Sequence, residues 1–303
     1  MEISVVIPVC NEEKNVKELY ERLSEVLKGK YEIIFVDDGS KDRTLKVLKS
    51  IKDKRVKVIP FQRNFGKAAG LMAGFREATG RIIFTMDGDL QDEPREIPKF
   101  MKKLDEGYDM VSGWKYKRHD PVTKTIPSKF FNWLTAKVTG VDIHDSNCGY
   151  KAYKRHVVEN IRVYGELHRY IPALAHWKGF SVGEVKVKHN PRKAGKSKYG
   201  VERLLKGFLD LITVKFITSY LSRPLHFFGF LGFLSGFVGF VLGLYIVYLR
   251  IAFGSIQGKN PLLMLVVLLI VIGVQFISLG LLGEMVVSSR DNEEYLIKKE
   301  NKK

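Results

Sequence analysis

Cysteine is scarce in this chain of 303 residues, which contains two, Cys10 and Cys148. They lie far apart without metal-ligand spacing, so neither a disulfide framework nor a Cys-based zinc site is expected, and a reducing compartment fits. No basic segment followed by a short apolar one leads into the strand-like "ISVVIPV". A cleavable signal peptide is therefore not expected, and the N-terminal part is expected to stay cytoplasmic. Zinc-finger and RNP patterns are missing too, which ranks nucleic acid last among partners. The chain is nevertheless basic, with 50 Lys and Arg against 33 Asp and Glu and a formal charge of +17. Anionic lipid and phosphorylated small molecules remain as partners for that charge.

Charge is absent altogether from two long runs, "LHFFGFLGFLSGFVGFVLGLYIVYL" (225–249) and "PLLMLVVLLIVIGVQFISLGLLG" (261–283). Each exceeds the roughly 20 residues that a helix needs to cross about 30 Å of hydrocarbon. A transmembrane hairpin is expected, with the basic N-terminal domain and the Lys-rich tail, 284–303, both on the cytoplasmic side. The intervening "RIAFGSIQGKN" is too short to hold a domain outside. Ahead of the hairpin, the region 201–224 carries Val201, Leu204, Leu205, Phe208, Leu211 and Ile212 near helical spacing. That pattern suits an amphipathic helix in the membrane interface, or an ordinary helix packed on the domain.

The first 115 residues alternate strand-sized apolar runs with amphipathic stretches, from "ISVVIPV" and "EKNVKELYERLSEVLK" to "RIIFTMDGD". Such alternation implies an α/β domain over 1–200 with a mostly parallel, Rossmann-like sheet covered by helices. Ligands of such sheets bind beyond the carboxyl ends of the strands, where "VDDGS" and "MDGD" fall.

In "IIFTMDGDLQDEP" an apolar strand runs into Asp87, Asp89, Asp92 and Glu93. Carboxylates this close are stable together if water or a cation separates them. If the chain stays extended past the strand, Asp87, Asp89 and Gln91 face one side, and three oxygens suit Mg²⁺ or Mn²⁺ with substrate phosphates completing the shell. A solvated acidic turn reads the same way in isolation. Asp37 and Asp38 end another buried strand and could accept hydrogen bonds from a base or ribose, or form an Asp-Gly turn with a helix cap. "QRNFGKAAG" places Arg63 and Lys67 at a helix start suited to anions, without the spacing of a Walker A loop. His144 and His168 read as polar loop residues.

"VVIPVCNEEKN", "VDDGSKDRT", "RNFGKAAGLMAGFREATG", "MDGDLQDEP", "HDSNCGYKAYKR" and "RKAGKSKYG" occur in one order over nearly the whole chain. That order resembles the family 2 glycosyltransferases of GT-A fold that charge polyprenyl phosphates. Among these it is similar to the dolichyl-phosphate mannose synthases and, more closely, to the bacterial-type polyprenyl-phosphate glucosyltransferases that end in two membrane helices. The resemblance implies that Pro8, Glu12 and Asp38, with Asn11 and Asp37 beside them, hold the nucleoside. Lys67 and Asp87 then serve the nucleotide sugar, and Asp87, Asp89 and Gln91 a metal and the diphosphate. Lys115, Lys124, Ser128 and Arg192 fall where the lipid phosphate is held, the first two as lysines where the mannose synthases use arginine, which loses bidentate geometry. Cys10 stands where many relatives carry an aromatic residue.

The implied reaction is inverting attack by polyprenyl phosphate on a nucleotide sugar at the cytoplasmic membrane face. Its catalytic residues are Asp89, Asp145 and Arg192. The acceptor phosphate has a second pKa near 6 and needs no general base at neutral pH, so Asp145 is expected to position substrate; an N-cap or turn is its alternative. UDP-glucose is the expected donor, with GDP-mannose as alternative, and a tetrameric homo-oligomer is compatible with the family. A processive polysaccharide synthase is disfavoured because Q-x-x-R-W is missing and one hairpin makes no pore. A non-catalytic receptor for nucleotide or anionic lipid is the alternative from another class.

Overall fold

Parallel pairing dominates a sheet whose strands are β1 (Ile3–Val9), β2 (Tyr31–Asp37), β3 (Val56–Pro60), β4 (Ile82–Thr85), β5 (Met110–Lys115), β6 (Lys151–Lys154) and β7 (Val182–Val187). The computed structural model describes residues 2–116, 134–190, 202–220, 223–254, 258 and 260–289. The strand order is β3-β2-β1-β4-β6-β5-β7. Strands β1 to β4 run parallel, β6 is inserted antiparallel between β4 and β5, and β7 lies parallel to β5. This is the mostly parallel, helix-covered sheet expected from the alternating pattern, in the GT-A arrangement that the resemblance implies; the antiparallel β6, "KAYK", is too short for the pattern to mark.

The helices cover the sheet through apolar stripes. Helix α1 (Val16–Val26) buries Val16, Leu19 and Leu23, spaced three and four apart on one face. Full burial of each such side chain is worth about 1.5–3 kcal/mol. Helix α2 (Thr44–Ser50) follows β2. Helix α3 (Lys67–Glu77) approaches β1 closely because Gly70 and Gly74 face it: a Cβ at Gly74 would stand 2.2 Å from Val6 Cγ1, and one at Gly70 3.0 Å from Pro8 Cβ. This close approach brings Lys67, at the start of α3, over the end of β4. Helix α4 (Ile97–Asp105) buries Ile97, Phe100 and Leu104, and the Phe100 ring packs 4.5 Å from that of Tyr150 and 5.9 Å from that of Phe84. Short helices α5 (Arg155–Asn160) and α6 (Ile171–Trp177) complete the covering.

Pro8 sits inside β1 without disrupting it. Val6 accepts from Met86 on the β4 side, and pairing with β4 ends at Val6–Thr85, so the N–H that proline lacks would have had no strand to meet.

The chain divides into two compact units, Met1–Val214 and Lys215–Lys303. Helix α7 (Glu202–Tyr220) crosses that division. Of the residues expected on its apolar side, those whose side chains are described are Leu211, which is buried, and Ile212, which is exposed. The second unit contains α8 (Pro224–Phe253) and α9 (Asn260–Ser288), 30 and 29 residues long, and both are long and apolar enough to cross a membrane. They pack through glycines seven apart, Gly232 and Gly239 on α8 and Gly273 and Gly280 on α9. A Cβ at Gly273 would stand 2.8 Å from the Gly232 carbonyl oxygen. Large apolar side chains such as Phe233, Phe237, Leu268 and Val274 point outward.

Candidate active site

The carboxyl ends of β1 and β2 are laced together by their own polar residues. Asn11 takes a left-handed conformation (φ 58°). Its amide N–H donates to Ser40 Oγ at 2.9 Å, and its Oδ1 accepts from the Lys41 amide at 2.8 Å. The Glu12 amide donates to Thr44 Oγ1 at 2.8 Å, and Glu12 Oε2 accepts from Asn15 Nδ2 at 2.5 Å. The Asp37 carboxylate accepts from the amide and hydroxyl of Ser40, making a local turn. Asp38 accepts the Phe65 amide at 2.6 Å and the Gly66 amide at 3.0 Å, and so draws the "RNFG" loop over the strand ends. Gly39, at φ 64°, lets that loop pass: a Cβ there would lie 2.4 Å from the Arg63 carbonyl carbon.

Beyond β4 the backbone turns at Gly88 and Asp89, and Leu90 adopts φ 62° while burying its side chain in the core. The extended chain expected through Gln91 is therefore not what forms, because Leu90 is pulled inward. Asp89 Oδ1 instead accepts the Gln91 amide at 3.2 Å. Gln91 Nε2 lies 3.4 Å from His189 Nε2, and the Gln91 carbonyl accepts the Asn190 amide at 2.9 Å. The first two residues of the basic "HNPRKAGKSKYG" segment are thus fastened to the acidic loop. Lys124, Ser128 and Arg192, together with Gly195 and Gly200 of that segment, lie outside the described residues.

Asp87 is ion-paired with Lys67, and its amide donates to Asp92 Oδ2 at 3.2 Å. Lys115 points into the protein, 3.3 Å from the buried Asp92. Burial opposes ionisation of Asp87, but Lys67 and Lys115 outweigh it and hold its carboxyl well below the usual range. Asp89 goes the other way: burial, then Asp87 and Asp92, push it up to about 6. Burial also works against the charge of Lys115, yet Asp92 and its neighbours raise its pKa above the usual lysine value.

Under this cluster lies a small cavity lined by Lys67, Thr85, Asn147, Lys151, Tyr153 and His168, among others. Burial lowers the Lys151 pKa to about 8 and that of His168 to about 3. His168, expected in a polar loop, stands instead in a short 3-10 helix, Leu167–Tyr170, with Nδ1 enclosed and without a hydrogen-bond partner among the described residues. Lys151 was not legible as a site residue, since a lysine inside "GYKAY" reads as the solvent face of an edge strand.

Among the described residues, no three His, Cys, Asp or Glu side chains converge into a ready-made metal cage. The donor set does fit a hard divalent ion that keeps most of its shell for phosphates and water. Asp89 is crowded by the charges of Asp87 and Asp92, which a divalent ion would relieve.

Residues 4–162 match the profile of Glycosyl transferase family 2. Over its length the chain is similar to the dodecaprenyl-phosphate galacturonate synthase of Rhizobium johnstonii, at 38% identity over 94% of this chain and 88% of that protein. It is also similar to the undecaprenyl-phosphate 4-deoxy-4-formamido-L-arabinose transferase of Klebsiella pneumoniae, at 37% identity over 94% of this chain and 88% of that protein. In fold it is similar to glucosyl-3-phosphoglycerate synthase from Mycobacterium tuberculosis, solved with Mn²⁺, UDP and glucosyl-3-phosphoglycerate. That likeness has a TM-score of 0.57 at 17% identity and covers 72% of this chain and 79% of the other.

Proposed function

The chain belongs to glycosyltransferase family 2, and we propose from that premise that it transfers a sugar from a nucleotide sugar to polyprenyl phosphate at a membrane surface. The observation that carries this reading is the pairing of an acid–lysine cluster beyond the parallel strands with two helices long enough to anchor it in a bilayer. The acceptor's head lies at that surface and its tail stays in lipid. The catalytic unit and the tail are assigned to the cytoplasmic side.

The attacking group is a phosphate dianion, so no proton has to be removed from it. One of its oxygens forms a bond to the anomeric carbon as the bond from that carbon to the diphosphate breaks, with inversion, and the nucleoside diphosphate departs. Pro8, Asn11, Glu12, Asp37 and Asp38 form the nucleoside pocket. An ionised carboxylate has about four lone-pair directions, so Asp38, accepting two amides, keeps capacity for a ribose hydroxyl. Lys67 holds Asp87 ionised and in place, and Lys115 holds Asp92 in place, which in turn receives the Asp87 amide. Mg²⁺ or Mn²⁺ held by Asp87 and Asp89 would neutralise the charge that develops on the leaving diphosphate, while Gln91, turned toward His189, ties the acidic loop to the basic segment. Asp145, 1% exposed, positions the sugar. Lys124, Ser128 and Arg192 are assigned to the acceptor phosphate.

UDP-glucose is the proposed donor. Because the relatives are named for galacturonate and 4-deoxy-4-formamido-L-arabinose, the UDP forms of those sugars belong in the same test, with GDP-mannose. Release of nucleoside diphosphate is measured for each donor with and without short-chain polyprenyl phosphate. Release that needs the lipid phosphate supports transfer. Binding without release from any donor would favour the receptor reading.

A further inference from the structure

The segment 144–149, "HDSNCG", carries Asp145 and is fastened from beneath by a transverse row of side chains. Thr85, Lys151, Ser112 and Glu184 are register partners across β4, β6, β5 and β7, so all four point to one face of the sheet. Each takes hold of the segment's backbone. Thr85 Oγ1 donates to the Gly149 carbonyl at 2.8 Å, Lys151 Nζ donates to the Cys148 carbonyl, and Ser112 Oγ lies 3.4 Å from the Asp145 carbonyl oxygen. Glu184 makes the largest contribution: its Oε1 accepts the amides of His144 at 2.9 Å and Asp145 at 3.1 Å, and its Oε2 meets His144 Nδ1 at 2.8 Å. The His144 ring is further held by stacking on Trp114, with centroids 3.9 Å apart and planes 10° apart.

We infer that Glu184 is a positioning residue for sugar transfer, acting by holding the His144 and Asp145 amides so that Asp145 stands where the sugar needs it. The inference rests on the role proposed for Asp145. A carboxylate on an edge strand, with its side chain 13% exposed and three acceptor contacts to one dipeptide, is committed to that dipeptide and not to solvent. Hydrogen bonds from backbone N–H groups to an ionised acceptor are the stronger kind. Losing them frees the chain at the residue whose placement matters, and a misplacement of about 1 Å near a reacting centre can cost about 100-fold in rate.

The test uses the full chain in detergent with its best nucleotide-sugar donor and short-chain polyprenyl phosphate. Glu184→Ala removes every acceptor, whereas Glu184→Gln keeps an amide oxygen for the two backbone N–H groups. Glu184→Ala is expected to lower kcat about 30-fold or more with donor KM within about threefold, and Glu184→Gln to recover most of the loss. In an Asp145→Asn background, Glu184→Ala is expected to cost less than about threefold, because the two act as one unit. Parental kcat in Glu184→Ala, equal losses in Ala and Gln, or full additivity with Asp145→Asn would overturn the inference alone. No transfer by the parent protein would instead sink the functional reading, and the inference with it.

Discussion

Gly149 is the position where one methyl group tests the architecture of the site most cleanly. Its backbone is not in the left-handed region, so alanine is sterically allowed in conformation. A Cβ there would nevertheless stand 2.6 Å from Asp87 Oδ2 and 2.7 Å from Oδ1. Ordinary contact requires the carboxylate to retreat by about 0.8 Å. Overpacking of this kind costs about 1–3 kcal/mol, and the reduced freedom of the unfolded chain returns about 0.4–1 kcal/mol. The net loss, about 1–2 kcal/mol, is small beside the roughly 5–15 kcal/mol of a folded domain, so Gly149→Ala stays folded, with a midpoint a few degrees lower. Displacing Asp87 from the leaving group should lower turnover about 100-fold. Thermal unfolding and initial rates on the same preparation separate the two effects. Gly236→Ala serves as the comparison, since among the described residues nothing outside its own stretch of helix lies within 4 Å of the added Cβ. Parental turnover in Gly149→Ala would refute the placement of Asp87 at the reaction centre.

Asp89→Asn is expected to fold normally and lose metal-dependent transfer by about 100-fold or more, with chelation reducing the parent to a similar level; unchanged turnover would reject the metal role. Lys151 gives a pH signature. Its pKa is lowered to about 8 in the fold against about 10.4 in the unfolded chain, so between these values the unfolded chain binds more protons and stability from this group rises with pH. The stability of the parent relative to Lys151→Met should therefore improve by up to about 3 kcal/mol from about pH 8 to about pH 10.5, and a constant difference would contradict the burial of that charge. In the hairpin, Gly273→Val should force α8 and α9 apart, because a Cβ already meets Gly232 O at 2.8 Å. A lowered unfolding midpoint would be its signature, and an unchanged one would speak against the close crossing.

The parallel half of the sheet was legible because β1, β2 and β4 are mostly apolar runs, the last two leading into Asp-Gly turns, the pattern of strands buried on both faces. The two apolar helices were legible from length and the absence of charge. Strand β6 was not, since four residues containing two lysines carry no period. The course of the chain after Met86 escaped for a different reason. Alternation assumes an extended backbone, and the burial of Leu90 breaks it at a residue whose φ no propensity announces. Glu184 was hidden by its own strand: in "VGEVKV" an acidic residue reads as facing water, and its use appears when β5 and a distant loop are brought beside it. Asp37 and Asp38 were found as site residues for their position at the end of β2, but their carboxylates also build the loops around them.

The most direct measurement of sugar transfer to a lipid phosphate is the mass of the lipid recovered after purified protein is incubated with polyprenyl phosphate, Mn²⁺ and each nucleotide sugar in turn. A lipid heavier by one sugar residue, formed with one donor and lost on chelation, is the expected result. Polyprenyl phosphate recovered unchanged with every donor would contradict the reading.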